Sequence, residues 1–384
     1  MIPDHSHLKT IPTALYVHIP WCVRKCPYCD FNSHKAPSVL PESSYIKALL
    51  ADFKRDFEDS PTHCLHSIFI GGGTPSLFGA AAYEHFFEAL QKWVPFDSTI
   101  EITLEANPGT IDQVRFRDYR QLGINRLSLG IQSFNAKHLK ALGRIHDDDD
   151  ARRAIHIARE AGFDNINLDL MYGLPEQTVA DGLHDIQTAL SHRPEHLSWY
   201  QLTLEPNTVF YKRPPPLPLE HILSTLETEG RGQLAGAGFE HYEVSAFSQP
   251  NRQAQHNLNY WLFGDYYGIG AGAHGKLTDP TGKIYRTQKH RQPNQYLAEE
   301  TPFLTEKKDV STSAIIFEFM LNTTRLYQPI PFELFEERTS LPSSLLRKQL
   351  EPFAEKGWIQ ISDRHWQMTS QGHAYANELL VTLV

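Results

Sequence analysis

The stretch Cys22-Val23-Arg24-Lys25-Cys26-Pro27-Tyr28-Cys29 constrains this chain more than any other part of it. It gathers three of the four cysteines in 384 residues, spaced so that one loop presents three sulfurs to a single soft metal object. A structural zinc closes its shell with four ligands, and iron–sulfur clusters also take four as a rule. With three sulfurs here and no fourth close by, the pattern reads as a [4Fe–4S] cube held at three irons. The fourth iron is then left open for a small ligand. The bland alternative is a set of structural or disulfide cysteines, but three clustered thiols cannot all pair among themselves.

Composition narrows the setting. Hydrophobic residues make up 41% and charged residues 21%, as in ordinary soluble globular proteins. Lys+Arg 36 against Asp+Glu 45 gives a net charge of −9, which argues against nucleic acid or an anionic membrane as the main partner. No apolar run reaches the roughly 20 residues needed to span a bilayer. The start, Met1-Ile2-Pro3-Asp4-His5-Ser6, lacks the basic and apolar regions of a signal peptide. Reduced thiols without such a signal point to the cytoplasm. With 20 histidines in the chain, a lone histidine is weak evidence of a ligand.

Short β-type runs alternate with helical patterns over the first two thirds. The runs are 15–19, 67–70, 100–104, 126–130, 165–169 and 197–201; the helices are 45–57, 81–93, 112–122, 149–161, 180–191 and 220–237. This alternation predicts an α/β fold with a parallel sheet covered by helices. A closed eight-unit barrel needs about 250 residues, so six units predict an open, partial (β/α)6 TIM-like barrel. A doubly wound sheet is the alternative. We divide the chain into a core barrel (1–240), a β- and turn-rich extension (241–305) and a C-terminal helical module (306–384). Prolines 206, 214, 215, 216 and 218 predict a stiff surface loop. In the tail, helices at 311–325, 331–337 and 344–356, a hairpin at 358–369 and a last helix at 372–380 make a winged-helix outline. Arg347 and Lys348 are nearly the only basic residues on its middle helix, which predicts packing or partner docking rather than DNA binding.

Every predicted strand end offers small or charged residues, as expected where a barrel builds its site. The cysteine loop follows the first strand and Gly71-Gly72-Gly73-Thr74-Pro75 the second. Glu105-Ala106-Asn107-Pro108-Gly109 follows the third, Gln132-Ser133-Phe134 the fourth, and Asp169 belongs to the fifth. An open iron needs a ligand with adjacent amine and carboxylate donors, and S-adenosylmethionine has both. The glycines let backbone approach a ligand closely. Glu105 suits ribose hydroxyls or an amino group. Arg144 and Asp169 are either pocket residues or a structural ion pair with each other. Tyr16 either meets the ligand or is a core tyrosine. His256-Asn257-Leu258-Asn259-Tyr260-Trp261 sets an imidazole beside an amide and two aromatics. Such a group can ligate haem iron; by spacing alone it reads more readily as a satisfied polar cluster at a domain seam.

Cys-x-x-x-Cys-x-x-Cys followed by Gly-Gly-Gly-Thr-Pro resembles the radical S-adenosylmethionine superfamily. Within it, the chain resembles the branch containing oxygen-independent coproporphyrinogen III oxidase and the HemW-type haem chaperones. His18-Ile19-Pro20-Trp21-Cys22, Cys29-Asp30-Phe31-Asn32-Ser33-His34, the 105–109 segment and the 256–261 segment carry the HemW likeness. The resemblance implies that Cys22, Cys26 and Cys29 hold the cluster and that Tyr16, Gly72 and Glu105 contact S-adenosylmethionine. It implies that Tyr28, Gly73, Thr74, Gln132, Arg144 and Asp169 line the neighbouring pocket. It associates His256, Asn257, Tyr260 and Trp261 with haem, with His18, His34 and His274 also in matching segments. Phe31 replaces the oxidase's fourth cysteine, and the first strand begins near Leu15 without the oxidase's longer N-terminal extension. Both features fit the chaperone, whose family function is to bind haem and pass it to acceptor proteins. The expected partners are therefore haem, haem-acceptor proteins and a second copy in a homodimer. The alternative is the oxidase activity, radical decarboxylation of porphyrinogen propionates.

Overall fold

The computed structural model describes residues 11–110, 113–298 and 302–383; the N-terminal segment read for a targeting signal and the first residue of the helix expected at 112–122 lie outside them. A 12-stranded sheet forms the frame. In chain order its strands are β1 (Thr13–Ile19), β2 (Leu65–Gly72), β3 (Phe96–Ala106), β4 (Arg126–Gln132), β5 (Ile166–Tyr172), β6 (His196–Gln201), β7 (Glu240–Glu243), β8 (Ala246–Ser248), β9 (Asp265–Ile269), β10 (His274–Thr278), β11 (Ile284–Lys289) and β12 (Leu304–Asp309). Their spatial order is β12-β11-β10-β9-β1-β2-β3-β4-β5-β6-β8-β7. The six expected strands, β1 to β6, lie side by side and parallel. A seventh parallel strand, β9, joins the outer edge of β1. Antiparallel strands then extend both flanks, and the first and last strands do not pair, so the sheet stays open. The extension 241–305 thus supplies strands to both ends of the frame.

Alternation decides which face does what. On β4, Leu127, Leu129 and Ile131 join the hydrophobic core, while Arg126, Ser128, Gly130 and Gln132 face a cavity. On β5 the same split puts Ile166, Leu168 and Leu170 outward and Asn167, Asp169 and Met171 inward. Side chains two apart share a face, so one run of seven residues serves a core and a site at once.

Helices Glu42–Asp59, Ala80–Leu90, Gln113–Gln121, Asp148–Glu160, Val179–Ser191 and Glu220–Gly236 cover the outer face. The fourth buries Ala151, Ala154, Ile155 and Ala158, a stripe at helical spacing. Asp147 starts it with a capping box to Asp150, and Thr178 starts the next with one to Asp181. Chain 204–218 is more than a surface loop. Thr208 caps a short helix, Val209–Lys212, whose Phe210 packs beside Tyr28 while its N–H donates to the Pro27 carbonyl at 3.0 Å.

The tail builds helices Thr312–Thr323, Phe332–Thr339 and Ser343–Glu355 and a three-stranded sheet of Ile330–Pro331, His365–Met368 and Ile359–Ile361. Its core, with Phe319, Phe335, Leu350 and Trp366, takes in Phe263 and Ile284 from the extension. The last expected helix breaks at Tyr375, whose ring stacks on Trp358 at 5.2 Å. Arg347 is spent within the module, its guanidinium 3.6 Å from the Phe332 ring centre and bonded to the Ser362 and Asp363 carbonyls.

Candidate functional site

The three clustered cysteines are free and half-buried. Cys22 ends a two-residue strand, Trp21–Cys22, which pairs parallel with His34–Lys35 and ties down both feet of the loop. The Cys29 N–H donates to the Cys26 carbonyl at 3.2 Å, and Lys25 Nζ reaches the carbonyls of Phe31 (3.0 Å) and Ser33 (3.3 Å). All three cysteines open on one cavity of about 530 Å³, within the range of small-molecule sites. Burial pushes the Cys22 and Cys29 thiols up, so a bound cation must supply the charge that ionises them. Cys64 lies just before β2, at the opposite end of that strand from the glycine turn beside the loop, and its sulfur is 3.6 Å from His66 Nε2.

The glycine turn is shaped by contact. Gly72 has φ +112°, and a Cβ there would fall 2.5 Å from His18 Cε1. A Cβ on Gly73 would fall 2.5 Å from the Trp21 carbonyl oxygen. The Gly73 and Thr74 N–H groups donate to Ile19 and Trp21, so the turn is bonded onto the chain leading to Cys22. Asn107 Nδ2 donates to Thr74 Oγ1 at 2.9 Å.

Glu105 receives the Gly72 N–H at 2.9 Å. Burial, reinforced by the nearby Asp169 carboxylate, raises its pKa to about 8. Arg144 does not pair with Asp169, so the ion-pair alternative fails. Its guanidinium meets Asn107 Oδ1 (2.5 Å), the Gly130 carbonyl (2.6 Å) and Cys26 Sγ (3.7 Å). Asp169 instead accepts from Ser128 Oγ at 3.1 Å and Asn167 Nδ2 at 2.7 Å. Gln132, at φ +69°, accepts from the Tyr200 hydroxyl at 2.8 Å. Tyr28, Gly72, Gly73, Thr74, Glu105, Gln132, Arg144 and Asp169 therefore share the cavity wall with the cysteines.

Tyr16 does not reach that wall. Its hydroxyl is 2.8 Å from His18 Nδ1, and His18 Nε2 is 2.9 Å from the Asn32 carbonyl. The carbonyl can only accept, so Nε2 carries the proton and Nδ1 accepts from Tyr16. His18 is held neutral, its pKa lowered to about 4 by burial. The segment expected to meet haem forms a helix, Gln255–Trp261, laid on the inner face of the sheet near β2. Asn257 and Trp261 line the cavity; His256 and Tyr260 do not. His256 is buried, with Ser67 Oγ 3.0 Å from Nδ1 and the Tyr260 hydroxyl 3.2 Å from Nε2. Burial lowers its pKa to about 3. Both nitrogens are engaged, so in this conformation His256 positions the helix and offers no free lone pair. Of the other histidines, His34 Nε2 faces the Arg291 carbonyl at 3.3 Å and His274 is exposed.

Several wall residues were absent from the sequence expectations: Arg126, Ser128, Asn167, Ser198, Tyr200, Glu243 and Arg325. A signal existed for those on the parallel strands β4 to β6, since a polar residue at every second position of an otherwise apolar run marks a polar inner face. Glu243 and Arg325 had none.

Residues 16–189 match the Radical SAM superfamily, and residues 310–375 match the HemN C-terminal domain. The chain is 48% identical to Heme chaperone HemW of Haemophilus influenzae, covering 97% of this chain and 98% of that protein. Heme chaperone HemW of Escherichia coli is 44% identical, with 97% of this chain and 98% of that protein covered. The chain belongs to the HemW family of radical SAM proteins. Coproporphyrinogen III oxidase (HemN) from Escherichia coli shares the fold: TM-score 0.81 at 22% identity, covering 97% of this chain and 90% of that one. The open α/β sheet is thus the fold of HemN, and the C-terminal module is a HemN C-terminal domain. A [4Fe–4S] cluster and S-adenosylmethionine are the cofactors that membership in the superfamily implies. Among the described residues no helix is long and apolar enough to cross a membrane.

Proposed function

We propose that this chain is a haem chaperone that carries a [4Fe–4S] cluster and S-adenosylmethionine and delivers haem to acceptor proteins. The observation that carries this reading is one shared cavity. Three free sulfurs of one loop, the Gly72–Thr74 turn, Glu105 and the haem-associated Asn257 and Trp261 all open onto it. Its HemW relatives are named for haem chaperone activity.

The donors fit the cofactors. Cys22, Cys26 and Cys29 supply thiolates for three irons, and Arg144, at 3.7 Å from Cys26 Sγ, offsets their charge. A bound cluster supplies an open iron and a reducing electron. The glycine turn leaves room that any Cβ would fill, and Glu105 holds a buried carboxyl with one protein donor, ready to accept from a ribose or an ammonium group. Asn107 and Arg144 brace the cysteine loop against β4. The reading places the protein in the cytoplasm and pairs it with acceptor proteins; it includes a homodimer, which sedimentation of the reconstituted protein tests.

One reconstitution tests the function. Anaerobic protein loaded with iron, sulfide and S-adenosylmethionine is given haem, then an apo-acceptor. Haem bound and then transferred supports the chaperone. Conversion of coproporphyrinogen III to protoporphyrinogen under a reductant, in the same sample, would overturn it in favour of the oxidase.

A further inference from the structure

Four polar atoms around one end of the cavity are buried without a protein hydrogen-bond partner: Arg126 Nε, Glu243 Oε2, Trp261 Nε1 and Arg325 Nε. Buried polar groups are nearly always satisfied, so several orphans on one wall mark a missing ligand. Arg126 is the deepest of them, the first residue of β4 and 2% exposed. It lies four residues before Gly130, about 13 Å along the strand from the level where Arg144 braces the cysteine loop. Its closest carboxylate, Glu101, is 3.9 Å away and already accepts the N–H groups of Gln255 (3.2 Å) and His256 (3.1 Å). Arg325 comes from the C-terminal module. Its guanidinium lies 4.4 Å over the Trp261 ring, and its Nη2 is a loose 3.6 Å from Glu243.

We propose that Arg126 and Arg325 receive the carboxylates of the haem propionates, with Trp261 Nε1 as a third donor; this rests on the haem reading above. Guanidinium matches carboxylate in a two-point fork, and each Nε lacks the acceptor that such a fork supplies. Two under-coordinated cations on separate elements suit a ligand with two carboxylates. S-adenosylmethionine has one, and its amino-acid end belongs at the cluster. An incoming carboxylate competes with Glu243 for Arg325. The C-terminal module is thereby part of the ligand site rather than a cover for it.

The test titrates cluster-loaded full-length protein with haem and with haem dimethyl ester, following absorbance. Wild type binds haem more tightly than the ester. Arg126→Gln and Arg325→Gln each weaken haem by about tenfold and leave the ester unchanged, the loss of one charge-assisted contact. Glu243→Gln tightens haem. Because Arg126 is buried, thermal unfolding of each variant is compared with wild type, and the more exposed Arg325→Gln keeps the test decisive. Equal wild-type affinity for haem and ester overturns the proposal, as does equal loss of both ligands in the variants. Variants that spare haem but weaken S-adenosylmethionine assign the chamber to the cofactor's carboxylate and leave the haem reading standing. A wild type that binds neither porphyrin removes both readings.

Discussion

Cys26 is linked to the rest of the site through Arg144 at 3.7 Å and on to Asn107 and Gly130. Replacing it with Ala leaves two sulfurs, too few to hold a cube. The Cys26→Ala protein should lose the cluster's visible absorption and most of its iron and sulfide after reconstitution. Glu105 gives a second prediction with a definite sign. Its folded pKa of about 8 lies above an ordinary glutamate, so the folded state holds the extra proton. Its contribution to stability therefore falls as pH rises from about 4.5 to about 8, by at most about 1.4 kcal/mol per pH unit. The Glu105→Gln apoprotein should show a flatter dependence of Tm on pH across that window; an unchanged slope would mean the carboxyl is ionised. His256 titrates the other way. Held neutral by burial, it favours the folded state above its ordinary range and opposes it as pH falls toward about 3.

At the scale of elements, the site depends on how loops are fastened to strands. The Gly73 turn crosses the Trp21 backbone so closely that any side chain must push the two apart. Gly73→Ala should lower both Tm and the iron retained per chain, at a cost of about 1–3 kcal/mol. If iron falls while Tm holds, the turn matters to the cluster loop alone. A second fastening lies behind the sheet. Lys289 on β11 is buried and bonds Asp52 at 2.5 Å and Asp56 at 2.7 Å on the first helix. Tyr296 donates to Asp52 at 2.6 Å. Removing the lysine leaves two buried carboxylates without their cation. Lys289→Met should cost about 3–5 kcal/mol, read by urea unfolding. Asp56, whose pKa burial raises to about 6, would make that loss smaller in acid.

At the scale of the molecule, the extension and the C-terminal module behave as parts of one site. Phe263 and Ile284 belong to the module's core, and Arg325 belongs to the cavity wall. A chain ending at residue 309 would expose that apolar surface and lose one cation from the cavity. It should unfold at lower temperature than the full chain and aggregate on heating, as light scattering would show. A stable monodisperse fragment with full haem affinity would mean that the module is an independent passenger.

Local chemistry was enough for much of this protein. The cysteine spacing, the glycine turn after the next strand and the alternation of apolar runs with helical stripes follow from neighbours in the chain, and a strand's two faces follow from its period of two. The six parallel strands and their six helices are therefore where the sequence places them. Contacts between distant residues obey no such rule. That β9 pairs with β1, setting Gly268 beside Tyr16 from 252 residues away in the chain, is a matter of which edge stays free once the core has closed. Arg144 chose Asn107 over Asp169, His256 turned its nitrogens to Ser67 and Tyr260, and Arg325 reached Trp261, because burial forces each polar group to find whatever partner the packed fold brings near. Which groups are left without one is fixed only when the whole chain has folded.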